Sequence, residues 1–193
     1  MRKVLFFFGQ LSDEDTEWLT EVGRARAVQA GAELIREGEP APAIYVLLEG
    51  VLSVVSRRTG KDLAQLRTGE IVGEMSFVDT RPPSATVRAL SACVVLEVAK
   101  ELLSERIEDD PGFGLRFYRA LAVYLSHQVR HSNQLIGLGA SPTQLDAAIE
   151  DDLDELDASV LDQLHLAGAR FEQLCARALS KRGSRAYELN RTP

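Results

Sequence analysis

Residues 69–89 read GEIVGEMSFVDTRPPSATVRA, and this stretch decides how the rest of the chain is interpreted. The pair Gly73 and Glu74 precedes a short helical pattern, whose first main-chain N–H groups would face an anion. Ser84 adds a hydroxyl and an N–H group. Pro83 before it has neither an N–H group nor a charge. The stretch therefore predicts a phosphate or carboxylate site in which the usual cation is missing.

The same stretch resembles the phosphate-binding cassette of cyclic-nucleotide-binding domains. In that family the glutamate of the Gly-Glu pair binds the ribose 2′-hydroxyl, and an arginine just before a small-residue triplet pairs with the cyclic phosphate. Residues 84–87 match the part after the arginine, whereas Pro83 occupies the position of the arginine itself. The resemblance implies a degenerate nucleotide site with these candidate residues: Gly73, Glu74, Met75, Ser76, Arg81, Pro83, Ser84 and Ala85.

The missing arginine bears directly on the ligand. A bidentate arginine supplies both charge neutralisation and a planar pair of donors, which proline cannot replace. We therefore expect weak or lost binding of cAMP and cGMP, and no other cofactor. Arg81 is the local substitute, so a genuine sensor of cyclic or other small nucleotides that uses Arg81 and Ser84 stays open as an alternative.

The residues around the cassette predict an α+β fold, a jelly-roll-like (cupin-like) antiparallel β-barrel with flanking helices. Short β-branched runs alternate with turn signals, and the predicted strands are 32–36, 44–48, 51–57, 62–66, 86–90 and 93–98. Ser12 is expected to cap a short helix, and the hydrophobic residues before it are read as the lead into that helix. The resemblance to the family extends from about residue 5 to residue 138.

A long helix is predicted from Asp110 as N-cap and Pro111 as first helical residue to about Ile136. In the family the corresponding helix pairs with its copy, which implies a homodimer; packing against the barrel is the simpler alternative. The polar residues Ser126, Ser132 and Asn133 are candidates to face a ligand base. The predicted dimer stripe is Tyr118, Leu121, Ala122, Leu125, Val129, Ser132 and Ile136.

Charge divides the rest of the chain into two segments after the domain at 1–138. The linker, 139–157, is acidic, with seven carboxylates and no base between residues 146 and 157. Residues 158–193 form an amphipathic helix and a basic tail. The apolar face of this helix either folds back on its own domain or binds an unknown protein partner, with Lys181, Arg182 and Arg185 placed to meet an acidic stretch.

Several function classes are disfavoured by composition. The net charge of −7 argues against nucleic acid, and the winged helix-turn-helix that follows in transcription factors of the family has no counterpart here, so we expect no DNA partner. No apolar run reaches the length of a membrane span, and the first residues lack a signal-peptide cleavage site. Cys93 and Cys175 are typical of buried thiols in a reducing cytoplasm, where we place the protein.

Catalytic and metal motifs are weak. His127 and His131 are spaced to share a helix face, as in zinc sites, but Gln128 stands where the glutamate of the protease motif would be and a third ligand is not evident. We therefore predict neither a metal site nor an enzyme. The sequence favours a regulatory or scaffolding protein that acts through protein contacts, with the nucleotide sensor as the alternative and a DNA-binding regulator as the third.

Overall fold

The computed structural model of the protein describes residues 2–138 and 158–189. The predicted acidic linker and the end of the basic tail lie outside these residues. Within the two described ranges, none of the helices is both long enough and apolar enough to cross a membrane.

Two helices precede the first strand, α1 (Arg2–Phe8) and α2 (Asp13–Val22). α2 begins at the predicted cap, because the Ser12 hydroxyl accepts a hydrogen bond from the Asp15 N–H and the Asp15 carboxylate accepts one from the Ser12 N–H. The residues before Ser12 form a helix of their own instead of a simple lead into α2. Two phenylalanines of α1 are fully buried, which fixes it against the core.

Eight short strands in the described residues form two antiparallel sheets. In chain order they are β1 (Arg24–Val28), β2 (Glu33–Ile35), β3 (Ala43–Glu49), β4 (Leu52–Val55), β5 (Asp62–Leu66), β6 (Ile71–Val72), β7 (Thr86–Ala89) and β8 (Cys93–Ala99). The sheets have the orders β1-β8-β3-β6 and β2-β7-β4-β5. The jelly-roll-like α+β fold is confirmed, although the two sheets do not close into a continuous barrel.

β3 shows how the two core layers arise. Alternate side chains of a strand point to opposite faces. Tyr45 and Leu47 pack between the sheets with Leu52 and Val87, whereas Val46 packs in a second layer with the helices. β3 is buried on both faces, which is why its sequence is a continuous apolar run.

The one-turn helix α3 (Met75–Val78) lies between β6 and β7. Two longer helices follow the last strand, α4 (Lys100–Asp109) and α5 (Pro111–Leu138). α5 begins where predicted, and the Asp110 carboxylate accepts a hydrogen bond from the Phe113 N–H at 3.0 Å. The core side of α5 carries Phe113, Phe117, Ala120, Leu121 and Tyr124, all buried. Leu121 therefore departs from the predicted dimer stripe: it points into the core layer, whereas Tyr118 and Ala122 beside it are exposed.

The last described helix, α6 (Ala158–Leu189), folds back onto the same chain. Its residues Ala167, Phe171, Leu174 and Ala178 are buried in the layer that also holds the aromatic residues of α1 and α5. The ring of Phe171 lies 5.7 Å from that of Phe8. In this conformation the described part of the apolar face of α6 is covered by its own domain, whereas the side chains of Val160, Leu161 and Leu164 lie outside the described residues.

Basic residues of α6 meet the acidic helix α2. The Arg170 guanidinium lies 2.6 Å from the Asp13 carboxylate, Arg177 pairs with Glu17, and the Lys181 ammonium donates to the Thr20 carbonyl at 3.2 Å. Lys181, predicted to meet a partner, is thus bonded within the chain, while the side chains of Arg182 and Arg185 lie outside the described residues. Exposed pairs of this kind contribute little each, so the buried apolar face holds α6 in place.

Candidate ligand cavity

The cassette starts at Gly73, directly after β6. Its φ of 88° lies in the region that favours glycine. A Cβ atom at this position would lie 2.7 Å from the main-chain oxygen of Ala43 in β3, so any larger residue would collide with the sheet. This turn places Glu74 at the start of the one-turn helix α3 (Met75–Val78).

A cavity of about 430 Å³ opens beside the cassette. This volume lies within the range of small-molecule sites. The strands that surround it contribute apolar side chains, namely Ile35, Val54, Ala64, Leu66, Ile71, Val72 and Val87. The long helix α5 contributes Leu125, Gln128, Val129, Ser132 and Asn133. Ser132 and Asn133 were singled out from the sequence; Ser126 is not among the lining residues.

Seven of the eight candidate cassette residues line this cavity: Gly73, Glu74, Met75, Ser76, Pro83, Ser84 and Ala85. The eighth, Arg81, is exposed and lines a neighbouring groove with Lys100 and Tyr118. The Arg81 N–H donates to the Asp79 carboxylate at 3.0 Å, and the rigid Pro82 follows. These constraints hold the main chain of Arg81 outside the cavity.

Pro83 lines the cavity at the position where the resemblance places an arginine. Its carbonyl accepts a hydrogen bond from the Gly38 N–H at 2.9 Å, which anchors the loop. Among the described residues that line the cavity, Glu74 is the one with a formal charge. An anion in the cavity would therefore meet a carboxyl group and no cation.

Glu74 is 8% exposed. Burial raises the pKa of this carboxyl to about 7, and the opposing effects of its own N–H group and of Lys100 do not offset the burial. Close to neutral pH the group is therefore present in both protonation states, and it can accept or donate a hydrogen bond. In the described part of the chain, no other residue donates a hydrogen bond to this carboxyl group.

A cation contacts the cavity wall at Ser76. The Lys100 ammonium donates to the Ser76 hydroxyl at 2.7 Å, and Ser76 lines both the cavity and the groove, whereas Lys100 lines the groove alone. Burial lowers the pKa of Lys100, and nearby carboxylates, Glu101 and Glu74 first, oppose this. The ammonium thus faces the groove that contains Arg81.

Sequence analysis missed two residues of α5 at this site. The Gln128 side-chain amide donates to the Tyr124 hydroxyl at 3.2 Å, and this hydroxyl bonds in turn to the main chain of β6. Gln128 therefore connects the cavity wall to the strand that carries the cassette. The signal was present in the sequence, because Tyr124 and Gln128 follow Leu121 at helical spacing and continue its buried face.

A second face of α5, which adjoins the cavity at Leu125, Val129 and Ser132, presents a row of exposed apolar side chains. Leu115, Tyr118 and Val129 are 74%, 47% and 58% exposed, and Ala122 between them is also exposed. With the half-buried Leu125 and the exposed Ser132, they recur at alternating spacings of three and four residues, which is the pattern of a coiled-coil seam. We call Leu115, Tyr118, Ala122, Leu125, Val129 and Ser132 the α5 seam; the side chain of Ile136 lies outside the described residues.

His127 stacks on Phe6 with ring centroids 3.5 Å apart. Burial, and secondarily Arg130, lowers its pKa. The side chain of His131 lies outside the described residues. Among the side chains that are described, no group of three His, Cys, Asp or Glu residues is arranged to hold a metal ion.

Comparison with known proteins agrees with the geometry. The cyclic nucleotide-binding domain profile matches residues 25–110. The chain is 31% identical over 112 residues to an NTE family protein of Mycobacterium tuberculosis, covering 58% of this chain and 19% of that protein. It is 25% identical over 130 residues to the cAMP-activated global transcriptional regulator CRP of Escherichia coli, and this match covers 65% of this chain and 60% of the regulator.

A solved cyclic nucleotide-binding domain from Methylobacillus flagellatus has the same fold. The two structures superpose with a TM-score of 0.64 and are 22% identical in sequence. The comparison covers 72% of this chain and 83% of the Methylobacillus chain. Of the two sequence relatives, the chain spans about a fifth of the length of the mycobacterial protein and about three fifths of the length of the regulator.

Proposed function

Residues 25–110 belong to the cyclic nucleotide-binding domain family, and from this premise we propose that the chain is a non-catalytic regulatory or scaffolding module. It binds cAMP and cGMP weakly or not at all and acts through protein contacts. The observation that carries this proposal is the cavity beside the cassette, where Pro83 replaces the phosphate-binding arginine and Glu74 is the one charged lining residue among those described.

The expected loss of affinity follows from the missing ion pair. A hydrogen bond to a charged group contributes roughly 1.5–3 kcal/mol, which corresponds to about a tenfold to a hundredfold change in the dissociation constant. A phosphate near the Glu74 carboxylate would add repulsion to this loss. Lys100 replaces the arginine poorly, because it lines the groove and not the cavity and its ammonium already donates to Ser76.

The absence of catalysis is proposed from the chemistry of the lining groups. The Ser76 hydroxyl donates to the Gly73 carbonyl and accepts a bond from the Lys100 ammonium, so a proton donor rather than a base faces its oxygen. The remaining polar groups of the cavity are amides, hydroxyls and one carboxyl. They suit binding better than nucleophilic attack.

Assembly is the second part of the proposal. The α5 seam supports a homodimer, because an exposed apolar row at coiled-coil spacing becomes buried when two copies pair. A further protein partner at α6 would have to compete with the contact of that helix to α1 and α2. The free thiols of Cys93 and Cys175 fit a reducing cytoplasm.

Each of the two alternative functions requires an additional structural feature. A nucleotide sensor that uses Arg81 needs the 81–84 loop to turn its cation from the groove into the cavity. A DNA-binding regulator needs a basic recognition element, whereas the described basic residues of α6 pair with α2.

Calorimetry with cAMP and cGMP tests the proposal, with Pro83→Arg and Pro82→Arg as a matched pair. Both variants add one guanidinium to the same loop, but Pro83 lines the cavity and Pro82 lines the groove. We expect weaker than micromolar binding by the natural chain, a gain of about tenfold or more for Pro83→Arg and no gain for Pro82→Arg. Submicromolar binding of cAMP or cGMP by the natural chain would refute the proposal.

A further inference from the structure

We propose that the cavity binds a small uncharged molecule, apolar over most of its surface, that offers a hydroxyl or amide group to Glu74. The inference deepens the proposed function and rests on it, since it assumes that cyclic nucleotides are not the tight ligands of this cavity.

Glu74 is the polar group that would anchor such a ligand. It is more than nine-tenths buried and lines the cavity, and no other residue in the described part of the chain donates a hydrogen bond to its carboxyl group. A buried carboxyl group with so few partners is costly, and a ligand group that bonds to it recovers part of that cost. A hydroxyl or an amide can donate to the ionised form and accept from the protonated form, so either satisfies Glu74 at neutral pH.

The charge balance excludes an anion as the preferred ligand. Burying an anionic group beside Glu74 would either place two negative groups in one cavity or require Glu74 to take up a proton, and the lining offers no cation among its described members. Lys100 is engaged by Ser76 and faces the groove, and Arg81 lies in the groove as well. An uncharged ligand avoids this penalty.

The other residues that line the cavity determine what kind of molecular surface the rest of the ligand should have. Side chains from both sheets, such as Ile35, Val54 and Leu66, present apolar surface, and Leu125 of α5 extends it. Polar groups on α5, led by the amides of Gln128 and Asn133, provide a second place for hydrogen bonds. An apolar body with a few polar groups is the kind of ligand that such a lining favours.

Two matched pairs of probes test the charge preference. N-phenyl-1-naphthylamine and 8-anilinonaphthalene-1-sulfonate share one aromatic body and differ in a sulfonate; adenosine and cAMP differ in the cyclic phosphate. Fluorescence titration and calorimetry on the full chain should show saturable binding of both uncharged probes, with each anion at least about tenfold weaker. Adenosine should displace the naphthylamine, because both occupy the cavity.

Variants locate the site. Ala85→Phe fills the cavity and should weaken naphthylamine binding at least tenfold, whereas Ala41→Phe makes the same change in the groove and should not. Glu74→Leu should weaken adenosine binding about tenfold or more, and Glu74→Gln should keep it within about threefold. Thermal melts on the same samples confirm that each variant is folded.

Three results would overturn the inference: equal or tighter binding of the anions, binding that survives Ala85→Phe in folded protein, or failure of both uncharged probes to bind. Tight binding of cAMP would refute the proposed function as well. Weak binding of cAMP together with no binding of the uncharged probes would refute this inference alone.

Discussion

The hydroxyl of Tyr124 makes two hydrogen bonds to the main chain of Ile71, donating to its carbonyl and accepting from its N–H, each at 3.0 Å. A side chain of α5 thereby takes the place of a neighbouring strand along β6, which lies at the edge of its sheet. Gly73 and Glu74 follow two residues later. The position of α5 and the position of the cassette are therefore coupled through one buried hydroxyl group.

Tyr124→Phe should lower the free energy of unfolding by about 1–3 kcal/mol, because it leaves the buried N–H and carbonyl groups of Ile71 without these partners. Tyr118→Phe removes a hydroxyl from an exposed position of the same helix and should change stability by less than about 0.5 kcal/mol. Urea denaturation measures both. Equal stability of the two variants would mean that water replaces the hydroxyl at β6.

Glu74 should make stability fall as the pH rises. Its pKa is about 7 in the folded chain and 4.5 ordinarily, so between these values the folded state binds more protons than the unfolded state. Its contribution is fully present below about pH 4.5 and is lost by about pH 7, a change of up to about 3 kcal/mol. The effect of Asp15 on the pH dependence of stability has the opposite sign. Its burial alone would raise its pKa, but hydrogen bonds from Arg116 and Ser12 outweigh the burial and lower it.

The difference between the natural chain and Glu74→Gln isolates this contribution. Glutamine keeps the size of the side chain and does not titrate, so the natural chain should lose stability relative to the variant from pH 5 to pH 8. Chemical denaturation at several pH values provides the comparison. Parallel curves for the two proteins would show that Glu74 has an ordinary pKa in the folded state.

Ala122→Glu should convert the proposed dimer into a folded monomer. Ala122 lies in the middle of the α5 seam and is exposed within one chain, so a carboxylate there is harmless until a second copy buries it. Arg130→Glu, at an exposed position outside the seam, is the control and should keep the dimer. Light scattering gives the mass and a thermal melt reports folding; an unchanged mass for Ala122→Glu would argue against pairing through this face.

Phe171→Ala should destabilise the domain by about 3 kcal/mol or more, because its buried ring packs on Phe8 and its removal leaves a cavity. Leu166→Ala on the same helix removes an exposed side chain and should cost less than about 0.5 kcal/mol. A single cooperative urea transition that shifts for Phe171→Ala alone would identify α6 as part of the domain core. Loss of helical signal before the main transition would instead mean that α6 unfolds separately.

The sequence predicted those helix caps and turns that depend only on residues close together in the chain. The capping box at Ser12, the cap at Asp110 and the turns between strands depend on residues a few positions apart, and these predictions agree with the structure. β1 was missed because its alternating arginines and alanines lack the usual β-branched residues, and it is held by pairing with the distant β8. α4 was missed because it follows β8 without a turn signal and buries one leucine.

The candidate site was predicted in part for a similar reason. Most cassette residues are contiguous in sequence, so their clustering needed no tertiary information. The strand residues Val54 and Ala64 reach the cavity through sheet pairing, and Gln128 reaches it through the packing of α5, neither of which a single sequence specifies. Leu121 was assigned to the wrong face because a stripe of apolar residues does not by itself distinguish the side toward the core from the side toward a partner.

The close approach of Gly73 to Ala43 bears on how such chains are classified. The packing of the sheet requires a glycine at this position, because any side chain would collide with β3, whatever the cavity holds. Gly73 thus reflects the architecture of the domain, whereas under the proposed function the ligand chemistry depends on Glu74 and on position 83. Under that proposal, the residue before Ser84 is a better guide to cyclic-nucleotide responsiveness than the glycine.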